Sequence, residues 1–73
     1  MKMIKLSKYS FTKLGTPRSA TEEFSINPQN IASIESFRIK GKGGTMITTD
    51  GGSEHYVSDE YTSVSKKITK SVL

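Results

Sequence analysis

Alternation of apolar and polar residues predicts short β-strands along most of the chain. Residues 3–11 are rich in strand-forming side chains and contain neither glycine nor proline, which predicts a first strand. Residues 23–27 alternate between apolar and polar side chains, as a half-buried strand does. Residues 12–23 hold glycine and proline among small polar side chains, and this composition predicts a mobile loop.

The apolar pattern resumes at Ile31 and continues through Ile34, Phe37 and Ile39. The step of three residues from Ile34 to Phe37 breaks the period of two that a regular strand requires. We therefore expect a third strand with a bulge, or a strand start, near Ser36.

An Asn-Pro pair separates the second strand from the third. Asn27 can accept a backbone hydrogen bond at the start of a helical turn, and Pro28 suits the first position of such a turn because it needs no N–H there. We expect these two residues to form a capped turn that reverses the chain and carries no chemistry.

Two glycine-containing segments predict hairpins. Residues 41–44 (Gly-Lys-Gly-Gly) join the third strand to a fourth at 45–49, and Asp50 and Gly51 lead into a fifth at 53–57. Asp-Gly favours a type I′ turn, in which both central residues have positive φ. The three strands connected in this way form a meander.

After Ser58, apolar residues recur every three or four positions. The stripe consists of Tyr61, Val64, Ile68 and Val72. This spacing is typical of an amphipathic helix that covers a sheet. Ser58 or Asp59 is the expected N-cap, with Asp59 and Glu60 in the first turn, where carboxylates interact favourably with the helix dipole.

These elements predict an α+β fold, a small antiparallel β-meander of about four to five strands with one C-terminal helix packed on the sheet. Residues 1–73 are expected to form a single domain, because a chain of this length encloses one core. The sequence has no cysteine and one histidine, so neither disulfides nor a Cys/His zinc site is expected. Self-association is the remaining way to bury more apolar surface, so a homo-oligomer is one of the alternatives.

The N-terminal apolar run is interrupted by charges. Lys2, Lys5 and Lys8 prevent it from reaching the length of a signal-peptide core. No stretch approaches the roughly 20 apolar residues of a spanning helix. We expect a cytoplasmic protein without membrane insertion.

The formal net charge of +4 arises mostly in residues 1–20, which contain five lysines or arginines and no acid. Arg38, Lys40 and Lys42, if they follow one strand, share a face and present three charges to phosphate groups. Together with Lys5 and Lys8 they are the candidate nucleic-acid contacts. Charged residues also protect sheet edges from pairing with other chains, and this interpretation is favoured.

Catalysis is not predicted. His55 lies near Glu54, Ser58 and Asp59 in the sequence, but neighbours along a strand point to opposite faces and do not converge. The Gly-Lys-Gly-Gly segment lacks the spacing of a phosphate-binding loop, and the segment around Asp50 lacks the oxygen ligands of a calcium loop. We expect no enzyme activity, no cofactor and no metal site.

Residues 24–69 resemble the FlbD-type family of small flagellar and swarming-motility proteins. The similarity lies in Phe-Ser-Ile-Asn-Pro-Gln-Asn-Ile from residue 24, in the strand pair around Asp-Gly, and in the segment 55–68, with a weaker echo at 3–9. The chain departs from that family in its long 12–23 loop and in its 36–44 segment. Because similar small proteins occur in phage and mobile-element genomes, the resemblance implies the fold and a bacterial or phage origin rather than motility.

Two segments, SINPQNIASIE and YVSDEYTSVSKKI, are also similar to the LytTR DNA-binding domain. In that domain a basic residue follows the serine at the start of the helix, whereas this chain has Asp59. The resemblance implies a related arrangement of strands and helix but not a DNA contact at this position.

The sequence favours a small non-enzymatic adaptor or regulatory module that binds a protein partner or itself. The alternative is a small basic nucleic-acid-binding protein, LytTR-like or a phage-type regulator, that uses the five candidate residues named above.

Overall fold

The computed structural model describes residues 3–18, 20 and 22–72, with only the backbone described for Val72. Five strands and one helix follow each other in the order β1 (Ile4–Lys8), β2 (Glu22–Ile26), β3 (Ile31–Ile39), β4 (Lys42–Thr49), β5 (Glu54–Val57) and α1 (Tyr61–Val72). A 3-10 turn, Pro28–Asn30, lies between β2 and β3. The predicted α+β fold, a small antiparallel sheet with one C-terminal helix, is confirmed.

The strands form one antiparallel sheet in the order β2-β1-β5-β4-β3. β3, β4 and β5 are joined by hairpins and make up the predicted meander. Beyond β5 the sheet continues with β1 and then β2. Therefore β2 and β3, which are consecutive in the chain, lie at opposite edges of the sheet.

The connection between β2 and β3 requires the sheet to curl. In a flat sheet the two edge strands would be about 19 Å apart, since neighbouring strands lie about 4.8 Å apart. Residues 27–30, mostly a 3-10 turn that rises about 2 Å per residue, span roughly half that distance. The two edges therefore approach each other at this corner. There, the N–H of Asp50 donates to the carbonyl of Asn30 at 2.9 Å.

The turn at this corner is built as a short capped helix. Asn27 accepts a hydrogen bond from the N–H of Gln29 through its side-chain oxygen at 3.0 Å. Pro28 occupies the start of the turn and is buried. The proline gives up no hydrogen bond at this position, because the first N–H groups of a helical turn have no partner within the turn.

The core lies between the inner face of the curled sheet and α1. Its buried members are Ile4, Leu6, Ile26, Ile47, Val57 and Val64, with Phe24, Ile31, Ile34 and Ile68 packed against them. Val64 is fully buried and comes from the predicted helix stripe. Each fully buried aliphatic side chain contributes about 1.5–3 kcal/mol, so this cluster supplies most of the drive for folding.

The helix starts later than predicted. Asp59 and Glu60 precede α1, which begins at Tyr61, so neither acid lies in its first turn. The Asp59 carboxylate instead accepts the N–H of Ser7 at 2.9 Å, and this bond holds the chain before the helix against β1. Tyr61, predicted to face the sheet, is 43% exposed because the helix begins at the margin of the sheet. The Val72 side chain lies outside the described part.

The bulge in β3 lies nearer the start of the strand than predicted. The register shifts between Ile31 and Ser33, after which the strand is regular through Ser36. The shift lets Ile31 and Ile34, three residues apart, both pack against the core. Phe37 then faces the opposite side of the sheet, so no bulge is required near Ser36.

The two-residue turn with positive φ occurs at the β3–β4 hairpin and not at Asp50-Gly51, where it was predicted. Lys40 and Gly41, with φ of 49° and 84°, form the two-residue turn between β3 and β4, and this is the turn with two positive φ values. Asp50 and Gly51 belong to a three-residue loop in which only Gly52 has positive φ. Such loops combine a type I turn with a left-handed residue, so the predicted type I′ turn at Asp50-Gly51 is wrong.

Residues 11–18 form a compact turn between β1 and β2. Phe11 pairs with Pro17, and the N–H of Thr12 donates to the carbonyl of Thr16 at 2.9 Å. β2 begins at Glu22, inside the predicted loop 12–23, of which residues 19 and 21 lie outside the described part. The mobility expected of the loop stays a prediction.

An aromatic layer covers the outer face of the sheet, opposite the helix. Phe37 makes edge-to-face contacts with Tyr9 and Tyr56, at 5.9 and 5.0 Å between ring centres. Phe11 adds a fourth ring at 5.2 Å from Tyr56. The Tyr9 hydroxyl donates to the carbonyl of Gly43 at 2.8 Å. The layer thus supports β4 from behind.

We expect Gly44→Ala to lower the free energy of unfolding by roughly 2–4 kcal/mol. A side chain at Gly44 would collide with the carbonyl oxygen of Val57, a backbone atom of β5 that cannot move aside without disturbing the ladder. Urea denaturation followed by circular dichroism measures the loss.

Gly51→Ala is the matched control, because no atom lies within 4 Å of the added methyl group and Gly51 does not adopt a positive φ. We expect it to change the free energy of unfolding by less than about 0.5 kcal/mol. Equal losses in the two variants would contradict the close approach of β4 and β5.

Candidate functional site

A groove of about 600 Å³ lies between the end of β3 and the start of α1. Its lining consists of Ser36, Phe37, Arg38, Gly43, Gly44, Ser58, Glu60 and Tyr61. Two strands, the segment before the helix and the first helical residue therefore contribute to one depression. We call it the β3–α1 groove.

The depth of the β3–α1 groove comes from two consecutive glycines. Gly43 and Gly44 pair with Arg38 and Phe37 across the β3–β4 ladder. Neither glycine carries a side chain, so the floor at this point is backbone alone. Thr45, the next residue, is fully buried and donates its hydroxyl to the carbonyl of Asp59 at 2.8 Å. The groove therefore ends where the helix segment is anchored to β4.

The walls of the groove carry an aromatic ring and a guanidinium group. Tyr61 is the first residue of α1 and exposes part of its ring here. Arg38 lies on the β3 wall, where its only hydrogen bond among the described residues is a long one, 3.5 Å to the carbonyl of Gly41. The two ion pairs among the described residues, Lys5–Glu23 and Lys67–Asp59, do not involve Arg38.

One wall of the groove is an unpaired strand edge. β3 is the longest strand, with nine residues, and β4 is its only strand neighbour in the described sheet. Ile39 and Lys42 flank the two-residue turn and pair directly. Because directly opposed pairs alternate between bonded and non-bonded, the N–H and C=O groups of Ile34, Ser36 and Arg38 point away from β4. No residue in the described part of the chain bonds to these groups, so they can pair with another chain.

The structure separates the five predicted nucleic-acid contacts. Lys5 lies on β1 and pairs with Glu23 at 3.8 Å, and Lys8, at the end of β1, places its ammonium 5.3 Å from the ring centre of Phe24. The other three lie at the β3–β4 hairpin. The candidate set is therefore not one continuous surface along a strand.

Arg38, Lys40 and Lys42 do not share a strand face, contrary to the prediction. The chain turns at Lys40, and Lys42 already belongs to β4. Arg38 lies on the face of Thr45 and Ile47, whereas Lys42 pairs with Ile39 on the opposite face. The three charges instead surround the tip of the hairpin. Lys40 donates to the hydroxyl of Thr16 at 3.1 Å.

The predicted neighbours of His55 do not gather around it. Glu54 pairs with Thr48 and His55 with Ile47, so the two side chains lie on opposite faces of β5. The His55 ring packs on Phe24, with 4.7 Å between ring centres, and its Nδ1 is enclosed without a hydrogen-bond partner. The Asp59 carboxylate is bound by Ser7 and Lys67 instead. His55 thus serves as a packing residue.

Two parts of the groove are not predicted from the sequence. The helical stripe predicts that Tyr61 lies in the core, and the glycine content of residues 41–44 predicts a turn at Gly43 and Gly44. A detectable signal existed for the glycines, since two adjacent glycines within a strand mark a close backbone approach. No sequence signal could reveal that the helix would begin beside them.

We expect the protein to lose stability as the pH falls from about 6.5 towards 5. Burial, and secondly the nearby charge of Lys8, lower the pKa of His55 from its ordinary value of 6.5. Below pH 6.5 the unfolded chain binds a proton at His55 more readily than the folded chain does. The contribution of His55 to the free energy of unfolding is therefore complete above pH 6.5 and is lost as the pH falls through the lower pKa of the folded state. Urea unfolding at several pH values measures the slope of the free energy of unfolding against pH.

His55→Gln removes the titrating group and should flatten this slope between pH 6.5 and 5, above the range in which most carboxylates titrate. The slopes of the two proteins are compared, and not their absolute stabilities, because the substitution also changes packing against Phe24 at every pH. An unchanged slope in the variant would contradict the environment described for His55.

Comparisons with protein-family models, curated proteins and solved structures find no match. Within the described residues, no helix has the length and apolar character to cross a membrane, and no three histidine, cysteine, aspartate or glutamate side chains form a metal-binding group. The candidate site therefore rests on the geometry of this chain alone.

Proposed function

We propose that this protein is a small non-enzymatic adaptor or regulatory module that binds a partner protein through the free edge of β3. The observation that carries the proposal is an unpaired nine-residue edge strand beside a groove with an exposed tyrosine. Addition of an extended segment to such an edge is a common mode of peptide recognition, in which main-chain bonds supply affinity and alternate side chains supply specificity.

The protection of the β3 edge is uneven. Sheet edges are ordinarily shielded by bulges, charges or covering elements. The bulge of β3 lies at its start, between Ile31 and Ser33, and the short turn 27–30 brings β2 close at the same end. Among the described residues, the stretch from Ile34 to Arg38 has neither a bulge nor a covering strand, and its charged side chains are those of Glu35 and Arg38. It is the part of the edge that a partner strand can reach.

A second copy of the chain is the other partner that could pair with the β3 edge. The formal charge of +4 per copy opposes it, because like charges repel as two copies approach. A partner of different sequence is therefore the favoured form. The resemblance of residues 24–69 to the FlbD-type family agrees with a small adaptor, and the proposal does not include a motility role.

Nucleic-acid binding is the second candidate function. What supports it is the meeting of Arg38 and the exposed Tyr61 in one groove, next to Lys40 and Lys42 at the hairpin tip. Basic grooves with an aromatic ring bind single strands by phosphate contact and base stacking. Only one exposed ring is present there, whereas such proteins stack several successive bases, so protein binding is preferred.

We expect a photo-crosslinking amino acid at position 61, in place of Tyr61, to form a discrete protein adduct in cells that produce the protein naturally. Ser36→Pro should remove the adduct, since the Ser36 N–H points outward and its loss blocks an added strand while sparing the β3–β4 ladder. The same crosslinker at the exposed Glu54, on β5, is the control and should give no such adduct. Mass spectrometry identifies the adduct.

An adduct that persists in the Ser36→Pro variant would contradict binding at the β3 edge. Circular dichroism establishes that this variant is folded. Glu35→Pro provides the contrast, because the Glu35 N–H faces β4 and its loss should destabilise the sheet by about 3 kcal/mol or more.

For the second candidate, we expect binding of a 20-nucleotide single strand, if it occurs, to weaken about tenfold to twentyfold between 50 and 200 mM salt. Three phosphate contacts at the hairpin predict a slope of roughly −2 in log affinity against log salt. Fluorescence anisotropy with single-stranded DNA, RNA and duplex DNA measures it. Alanine at Arg38, Lys40 and Lys42 together should abolish the slope, and absence of binding at 50 mM salt would remove this candidate.

A further inference from the structure

The side chains of a segment added to β3 would alternate between the two faces of the sheet. Successive residues of a strand point to opposite sides. The residue paired with Ser36 and the residue paired with Arg38 are two positions apart, so both would project on the face that carries the β3–α1 groove. Two side chains of a bound segment, at positions separated by one residue, thus contact the groove.

The position opposite Ser36 favours an apolar side chain. Ser36 is small, and the neighbouring floor at Gly43 and Gly44 has no side chains. Tyr61 offers the exposed part of its ring from the helix side. An aliphatic or aromatic side chain placed there would bury its surface against the tyrosine ring. Such contacts with an aromatic ring are energetically favourable.

The position opposite Arg38 favours a carboxylate. The guanidinium makes one long hydrogen bond and no ion pair within the described residues, so most of its five donors have no protein partner there. Lys40 adds positive charge at the same hairpin, and the sequence from residue 36 to residue 49 contains no acid. Glu60, from the segment before the helix, is the one acid among the described residues that line the groove. Charge complementarity therefore selects an acidic side chain beside Arg38.

We infer that the β3–α1 groove recognises an extended segment of another protein that carries an apolar side chain and a carboxylate two residues apart. The apolar side chain contacts Tyr61 and the carboxylate binds Arg38. This inference rests on the proposed function, since it names the chemistry of the strand that adds to β3. The order of the two side chains along the partner depends on whether that strand runs parallel or antiparallel to β3.

The test uses four labelled seven-residue peptides and fluorescence anisotropy at 150 mM salt. The first is Thr-Val-Thr-Val-Thr-Glu-Thr and the second has the reverse order, which covers both strand directions. The third and fourth replace glutamate by glutamine or by lysine in the order that binds better. We expect the glutamine peptide to bind about three- to tenfold more weakly than the glutamate peptide, the range for a partly exposed charged pair with hydrogen bonds.

A charge exchange on the protein isolates Arg38. Arg38→Glu should reverse the preference, so that the lysine peptide binds more tightly than the glutamate peptide. Lys42→Glu is the matched control, because it changes the net charge equally but on the opposite face of the hairpin. We expect it to alter each affinity less than twofold, because Lys42 projects on the face opposite the groove and exposed charges are weakened by salt.

The failures of the two proposals are distinguishable. Equal binding of the glutamate and glutamine peptides, with loss of both in Ser36→Pro or on N-methylation of the peptide backbone, overturns the acidic preference and leaves strand addition intact. Absence of binding by every peptide, or binding that neither Ser36→Pro nor N-methylation weakens, overturns both. A stable dimer in light scattering that Ser36→Pro dissociates shows a second copy on the edge and likewise overturns the inference.

Discussion

The position of α1 depends on the hydrogen bonds of one residue, Asp59. Its carboxylate accepts the backbone N–H of Ser7 on β1 and the ammonium of Lys67 on the helix, while its carbonyl accepts the hydroxyl of the buried Thr45 on β4. These bonds connect two strands that are separated by β5 in the sheet. The helix begins immediately after this anchored segment, at Tyr61.

The first residue of that helix forms the exposed part of the site. Tyr61 begins the stripe that Val64 and Ile68 continue into the core, but it lies at the margin of the sheet. It borders a groove whose floor at Gly43 and Gly44 has no side chains to meet it. The aromatic layer on the outer face supports this floor, since Tyr9 binds the carbonyl of Gly43. The groove is thus open on one side and rigid on the other.

The curl of the sheet decides which edge remains free. The link between β2 and β3 is too short for a flat sheet, so the two edge strands meet at one corner and diverge from it. The end of β3 that carries Ser36 and Arg38 lies away from that corner. An open strand edge is ordinarily a liability for aggregation, and the three cations at the hairpin tip oppose association between identical copies.

Local patterns in the sequence determined the strands, the helix stripe, and the capped turn at Asn27 and Pro28, because each depends on residues close together in the chain. The turn does not reverse the chain as expected, because β2 and β3 run in the same direction at opposite edges of the antiparallel sheet. They also determined the meander, since short glycine turns leave no other connection. Sequence could not place Tyr61, because the segment before the helix is held against β1 by a contact between Ser7 and Asp59, 52 residues apart.

Nor could sequence decide the turn types or the faces of the basic residues. Lys40 was expected to extend a strand, but it adopts positive φ, a conformation that lysine disfavours and that the pairing of Ile39 with Lys42 imposes. The groove is therefore a product of tertiary structure, because the β3–β4 hairpin and the start of α1 meet there, and the role of each becomes apparent only once they are adjacent.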